Sequence, residues 1–162
     1  MKSVWWVIAL AAFAGACAGD RPTPTGIAAN LLKQNGLLEC SPLPASAVKQ
    51  TIGPAGGTMK IGPHVFVVPA GALAVPVVIQ AKTAGGTGNA IAFKPTGLLF
   101  LTPAYVTLSY ANCNTSGSTA PKEVAYTTDS LAIITYVPSS DHASTQQVTG
   151  QVAHFSNYAV AW

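Results

Sequence analysis

The sequence predicts an all-β fold, an antiparallel sandwich of about seven to nine short strands. Three observations carry this. Gly and Pro cluster at intervals in IGPAGGT, IGPH, VPAGAL, AGGTGN and KPTG, and each cluster separates short apolar runs. Several runs alternate apolar and polar residues, as half-buried strands do. From Cys40 onward no segment sustains a period of 3.6 residues.

Taken in chain order, MKSVWWVIALAAFAGAC opens with Lys2, an apolar run from Val4 to Phe13, and small residues up to Cys17. The run is too short to span a bilayer and has the shape of a cleaved export signal, residues 1–16. Two cleavages compete. Ala14-Gly15-Ala16 fits an ordinary signal peptidase, whereas the same stretch ending in Cys17 resembles a lipoprotein signal, in which Cys17 is the lipid attachment residue. Ala14 departs from that pattern, which usually carries a larger aliphatic residue there. The polar, proline-bearing AGDRPTPTG that follows has the composition of a tether, placed over residues 17–38. LLKQNGLLE reads equally as a loose helical turn or as the lead-in to the first strand.

The β domain is expected over residues 39–162. Candidate strands are Thr58–Ile61, Val65–Val68, a strand opened by Pro76, Ala90–Phe93, Tyr105–Tyr110, Glu123–Thr127, Leu131–Val137, Gln147–Ala153 and Asn157–Trp162. In Tyr105–Tyr110, Val106, Leu108 and Tyr110 share one face, and Tyr105, Thr107 and Ser109 the other. Gly71 in VPAGAL and Gly97 in KPTG permit a positive φ at chain reversals. Pro95 and Pro103 bracket an apolar segment, GLLFLT, which is expected to pack across the sheets.

The chain has 162 residues, 49% apolar and 8% charged, with a formal net charge of +3. So few charges exclude a disordered acidic or basic tail. The basic residues are scattered along the sequence, which argues against nucleic acid as a partner. Cys17, Cys40 and Cys113 are an odd number of thiols. Lipidation of Cys17 leaves Cys40 and Cys113 to form a disulfide outside the cytoplasm, the alternative being two buried free thiols. Such a bond closes a loop of about 70 residues and stabilises the fold by about 4 kcal/mol. Two isolated cysteines without a CxxC lack zinc-ligand spacing, and no cofactor motif is present.

The succession GPAGGT, VVPAGAL, FKPTGLLFLTPAYVTLSY and HFSNYAV resembles the ZU-five domain of zona-occludens proteins and Unc-five receptors, over about residues 49–162. The likeness is strongest to small bacterial exported proteins that carry such a domain. It implies an antiparallel β-sandwich serving as a non-enzymatic interaction or scaffold module. With the leader, that gives a lipid-anchored binding module of a bacterial cell envelope, acting on an unidentified protein or glycan; a soluble secreted or periplasmic protein is the alternative.

Two other functions stand beside this one. His154-Phe155-Ser156 matches a trio that, in some animal relatives of that family, cuts its own backbone. His154 would be the base, Ser156 the nucleophile and Phe155–Ser156 the severed bond. The chemistry also needs a distorted amide and an oxyanion donor. The plainer reading is a strand corner, with His154 capping backbone groups, Phe155 in the core and Ser156 opening the last strand. Tyr105, Tyr126 and Tyr136 form a candidate sugar-stacking face. Asp20, Glu39, Glu123, Asp129 and Asp141 form no recognisable catalytic carboxylate pair. His64 reads as part of a turn and His142 as part of a solvated loop.

Overall fold

The computed structural model describes residues 36–162. The leader, Cys17 and the tether up to residue 35 lie outside the described residues. The described residues form eleven strands: β1 (Ala47–Ile52), β2 (Gly57–Ile61), β3 (His64–Val68), β4 (Val77–Thr83), β5 (Ala90–Lys94), β6 (Leu99–Ser109), β7 (Glu123–Thr127), β8 (Ile133–Val137), β9 (Ser139–His142), β10 (Gln147–His154) and β11 (Asn157–Ala161). They build two sheets, one ordered β1-β4-β5-β11-β7-β8 and the other β2-β3-β6-β10-β9. Every pairing is antiparallel. The sheets pack face to face as a β-sandwich, the fold class the sequence predicts.

Alternation sets the inner faces. Met59 and Ile61 of β2, Phe66 and Val68 of β3, Ile79 and Ala81 of β4, and Val148 and Val152 of β10 are all buried. An aromatic knot fills one end of the interior. The Phe93 and Phe155 rings stack with centroids 5.2 Å apart, and Phe100 meets Phe155 edge-on at 4.9 Å. Phe66 lies 4.6 Å from Phe93 and 5.5 Å from Phe155, so the knot joins β3 of one sheet to β5 of the other.

Two strands exceed the sequence reading. β1 carries the pattern AVKQTI, in which polar residues hide the alternation, and it is defined by its pairing to β4. β9 is SSDH, a segment without apolar residues that β10 recruits as an edge, so His142 stands on a strand. β8 begins at Ile133, two residues later than expected, because Leu131 adopts a positive φ of 63°.

The sandwich also begins earlier than residue 39. Leu37 bridges Ala161, the Leu38 N–H donates to the Val160 carbonyl at 3.1 Å, and the Leu38 side chain is buried in the core. LLE is thus a lead-in that pairs with β11. A disulfide then joins Cys40 to Cys113 directly across an isolated bridge, 73 residues apart in sequence. It ties the lead-in beside β11 to the loop after β6, and so links the two sheets.

Candidate functional site

Only part of the segment expected to pack across the sheets does so: Leu98 and Phe100 lie against the core, whereas the leucines that alternate with Phe100 turn outward. Leu99 and Leu101 are 72% and 74% exposed. The reason lies in the alternation of β6, a strand of eleven residues that keeps alternating although its register against β10 shifts between Ala104 and Leu99. Its inward set is fixed by Ala104, Val106 and Leu108, all fully buried, so the opposite set follows the outer face of the five-stranded sheet. That outer set contains Leu99, Leu101, Pro103, Tyr105 and Thr107. Tyr105 is 36% exposed, and its cross-strand neighbours are Val67 on β3 and Gln151 on β10.

The result is a ridge of apolar side chains in a field of small polar ones. Thr107 and Thr149 share a hydrogen bond between their hydroxyls at 2.9 Å, and Lys60 sits on the same face at the β2 edge. Exposed aliphatic pairs rimmed by polar residues mark places where soluble proteins meet partners. Sequence reasoning missed the ridge because a run of LLFL reads as core. Extending the Ala104–Val106–Leu108 alternation backwards would have found it.

Cys40 and Cys113 are bonded, and the surrounding chain is held by matching polar contacts. Cys40 N–H donates to the Thr87 carbonyl at 2.7 Å, and Ser41 N–H to the Asn112 carbonyl at 2.9 Å. Asn89 Nδ2 donates to the Ser109 carbonyl at 2.8 Å and to Asn112 Oδ1 at 2.7 Å. Among the described residues no group of three or more His, Cys, Asp or Glu is arranged to hold a metal ion.

At the β10–β11 corner, Phe155 is fully buried and Ser156 nearly so. Backbone bonds fix the turn. Phe155 N–H donates to the Leu98 carbonyl at 2.8 Å, and Gly97 N–H donates to the Phe155 carbonyl at 2.9 Å. The Ser156 carbonyl accepts from Phe93 N–H at 3.0 Å. His154 does not cap the corner with its ring; the imidazole lies edge-on to Tyr126, with centroids 4.9 Å apart. Its carbonyl accepts from the Tyr158 hydroxyl at 2.7 Å, and burial pushes that phenol's pKa up.

The tyrosine trio does not form one face. Tyr105 belongs to β6 in the five-stranded sheet, while Tyr126 and Tyr136 lie in the six-stranded sheet. Tyr126 packs against His154 and Tyr158, and adjacent residues of a strand point to opposite faces, so Tyr136 on the partner of Ala125 faces away from it. A planar sugar platform of all three is therefore excluded by topology.

The scattered lysines, by contrast, are gathered by the fold. Register places Lys49 of β1, Gln80 of β4 and Lys94 of β5 in one row across the outer face of the six-stranded sheet. The next row on that face holds Ala47, Lys82 and Ala92. No local run of charge announces this, because each lysine occupies one polar position in a separate strand. Sequence comparison finds no family model that matches the chain and no match among curated proteins.

Proposed function

We propose that the protein is a non-enzymatic binding module of the bacterial cell envelope, exported and held to a membrane by lipid on Cys17. The observation that carries the binding role is the pair Leu99 and Leu101, each more than two-thirds exposed at the start of β6, where the strand has run past its pairing with β3. Burying two leucine side chains against a partner contributes about 1.5–3 kcal/mol each, enough for them to anchor an interface. The export reading is supported by the leader pattern and by the disulfide, a bond at home in oxidising compartments. The partner is a protein with an apolar groove or sheet face; neither nucleic acid nor a cofactor enters this reading. The order of motifs also keeps the ZU-five likeness as a proposal for its ancestry.

Site-specific photo-crosslinking in the native envelope tests the role. A photoreactive residue at position 101 is expected to give a discrete protein adduct, and one at Gln80, on the opposite sheet, is not. The same adducts from both positions, or none from 101, would contradict it. Mass spectrometry of the N-terminal peptide tests the anchor, with acyl chains on Cys17 as the expected result.

One observation favours a second reading, self-cleavage at Phe155–Ser156. The Gly97 N–H already points at the Phe155 carbonyl, where an oxyanion would form. Intact mass under denaturing conditions separates the readings. The binding-module reading expects an unbroken chain, and loss of Ser156–Trp162, abolished by Ser156→Ala, would favour cleavage.

A further inference from the structure

The outer face of the six-stranded sheet gathers three of the five lysines that occur within residues 36–162, namely Lys49, Lys82 and Lys94, with Lys60 and Lys122 elsewhere. All three are exposed. Gln80 separates Lys49 from Lys94, so no two like charges stand directly opposite, and the two lysines are about 10 Å apart at Cα across two strand spacings. Between them lies a shallow cavity of about 340 Å³, floored by Ala47 and Ala92. Small side chains there leave the ammonium groups standing above the sheet.

Little in the fold neutralises this charge. The Lys94 ammonium donates to Thr96 Oγ1 at 3.1 Å, a neutral partner. Asp129 is the one carboxylate beside them: it lines the adjoining cavity with Lys82 and Lys94, accepts from Asn157 Nδ2 at 2.7 Å, and makes no ion pair with either lysine. Glu123 lies at the far end of the sheet, opposite Ala161 on β11. Among the described residues, no ion pair engages the three lysines.

We infer that this face docks on a membrane surface of anionic phosphate headgroups, laying the six-stranded sheet against the bilayer. Charge complementarity specifies the occupant: a flat array of three cations set against a single carboxylate, Asp129, suits a flat array of phosphates. The two sheets of a sandwich present their outer faces in opposite directions, so the same pose turns Leu99 and Leu101 outward. The inference builds on the membrane-anchored reading. It adds that the domain is oriented at the membrane and not only tethered to it.

The test is vesicle partition of the full chain on phosphatidylcholine vesicles with and without phosphatidylglycerol. Each lysine near an anionic surface contributes about 1 kcal/mol, which is about 5-fold in partition and about 100-fold for three. The variant Lys49→Gln/Lys82→Gln/Lys94→Gln should therefore lose about 100-fold on anionic vesicles, an effect that shrinks as salt is raised. On neutral vesicles it should match the unsubstituted chain, because the N-terminal anchor is the same in both. Weak binding of both proteins to neutral vesicles would count against the anchor alone. Lys60→Gln, on the opposite sheet, should change partition by less than about 2-fold.

Equal partition of the triple variant and the unsubstituted chain on anionic vesicles would overturn the inference. So would a Lys60→Gln loss as large as that of any single lysine on the face. Displacement from anionic vesicles by submillimolar inorganic pyrophosphate would overturn it in favour of a discrete phosphate site. The substituted positions are exposed, and an unchanged unfolding midpoint confirms that the variants are folded.

Discussion

The His64 ring is fully buried where β3 begins, and its Nδ1 accepts the Ser109 N–H at 3.1 Å. Nε2 is buried without a partner. Burial pushes the His64 pKa down to about 4, because charging the ring would desolvate a cation and sever the Ser109 bond. The unfolded chain takes up this proton near the usual value of about 6.5, whereas the folded chain resists it. Above that pH both states are neutral and the group contributes no slope. As pH falls from about 6.5 to about 4, stability should drop by about 3 kcal/mol through this residue alone. Denaturant titrations at several pH values check this, and His64→Leu should remove that part of the slope. Gly150 shows a different constraint. An added Cβ would sit 2.7 Å from Val124 Cβ and 2.9 Å from Val137 Cγ2, so β10 and β7 meet closely only because position 150 has no side chain. Gly150→Ala should destabilise by about 1–3 kcal/mol, and Val124→Ala in the same chain should recover part of that loss.

β6 is the strand on which the fold and the proposed binding role both turn. It is hydrogen-bonded to β3 on one side and to β10 on the other, and its alternation divides a core set from a solvent set. Leu108→Ala should cost about 2–5 kcal/mol in stability, as deletion of a buried leucine does. Leu101→Ala should stay within about 0.5 kcal/mol, as an exposed substitution does. Paired denaturant unfolding curves decide between this assignment and a buried LLFL segment. The disulfide works at the same level, joining the lead-in to the end of β6. Reducing it, or Cys40→Ser with Cys113→Ser, should lower stability by about 4 kcal/mol while the sheets persist in circular dichroism. Strands with clear alternation or bounding Gly and Pro, such as β3, β5, β7, β10 and β11, were legible in the sequence. β1 and β9 were not, since their pairing partners define them more than their own residues do.

In the assembled sandwich, two chemically different outer faces look in opposite directions, one with a leucine ridge and the other with three lysines. Neither is announced by its own run of residues, although the alternation of Ala104, Val106 and Leu108 carried backwards points to the first. The leucines imitate core residues, and the lysines come from three strands that only register brings together. The Cys40–Cys113 pairing was legible, because thiol parity and the expected export signal sufficed to suggest it. The burial of Phe155 was equally legible in HFS, although the use of the His154 ring against Tyr126 was not. In the proposed binding role the leucine ridge is surplus to folding and necessary for capture of the partner. The double variant Leu99→Asp/Leu101→Asp tests this most directly, measured both for its unfolding midpoint and for photo-crosslinked adducts from position 105 in the native envelope. The account predicts a midpoint close to that of the unsubstituted protein and loss of the adduct. Collapse of the midpoint, or an adduct that survives both charges, would contradict it.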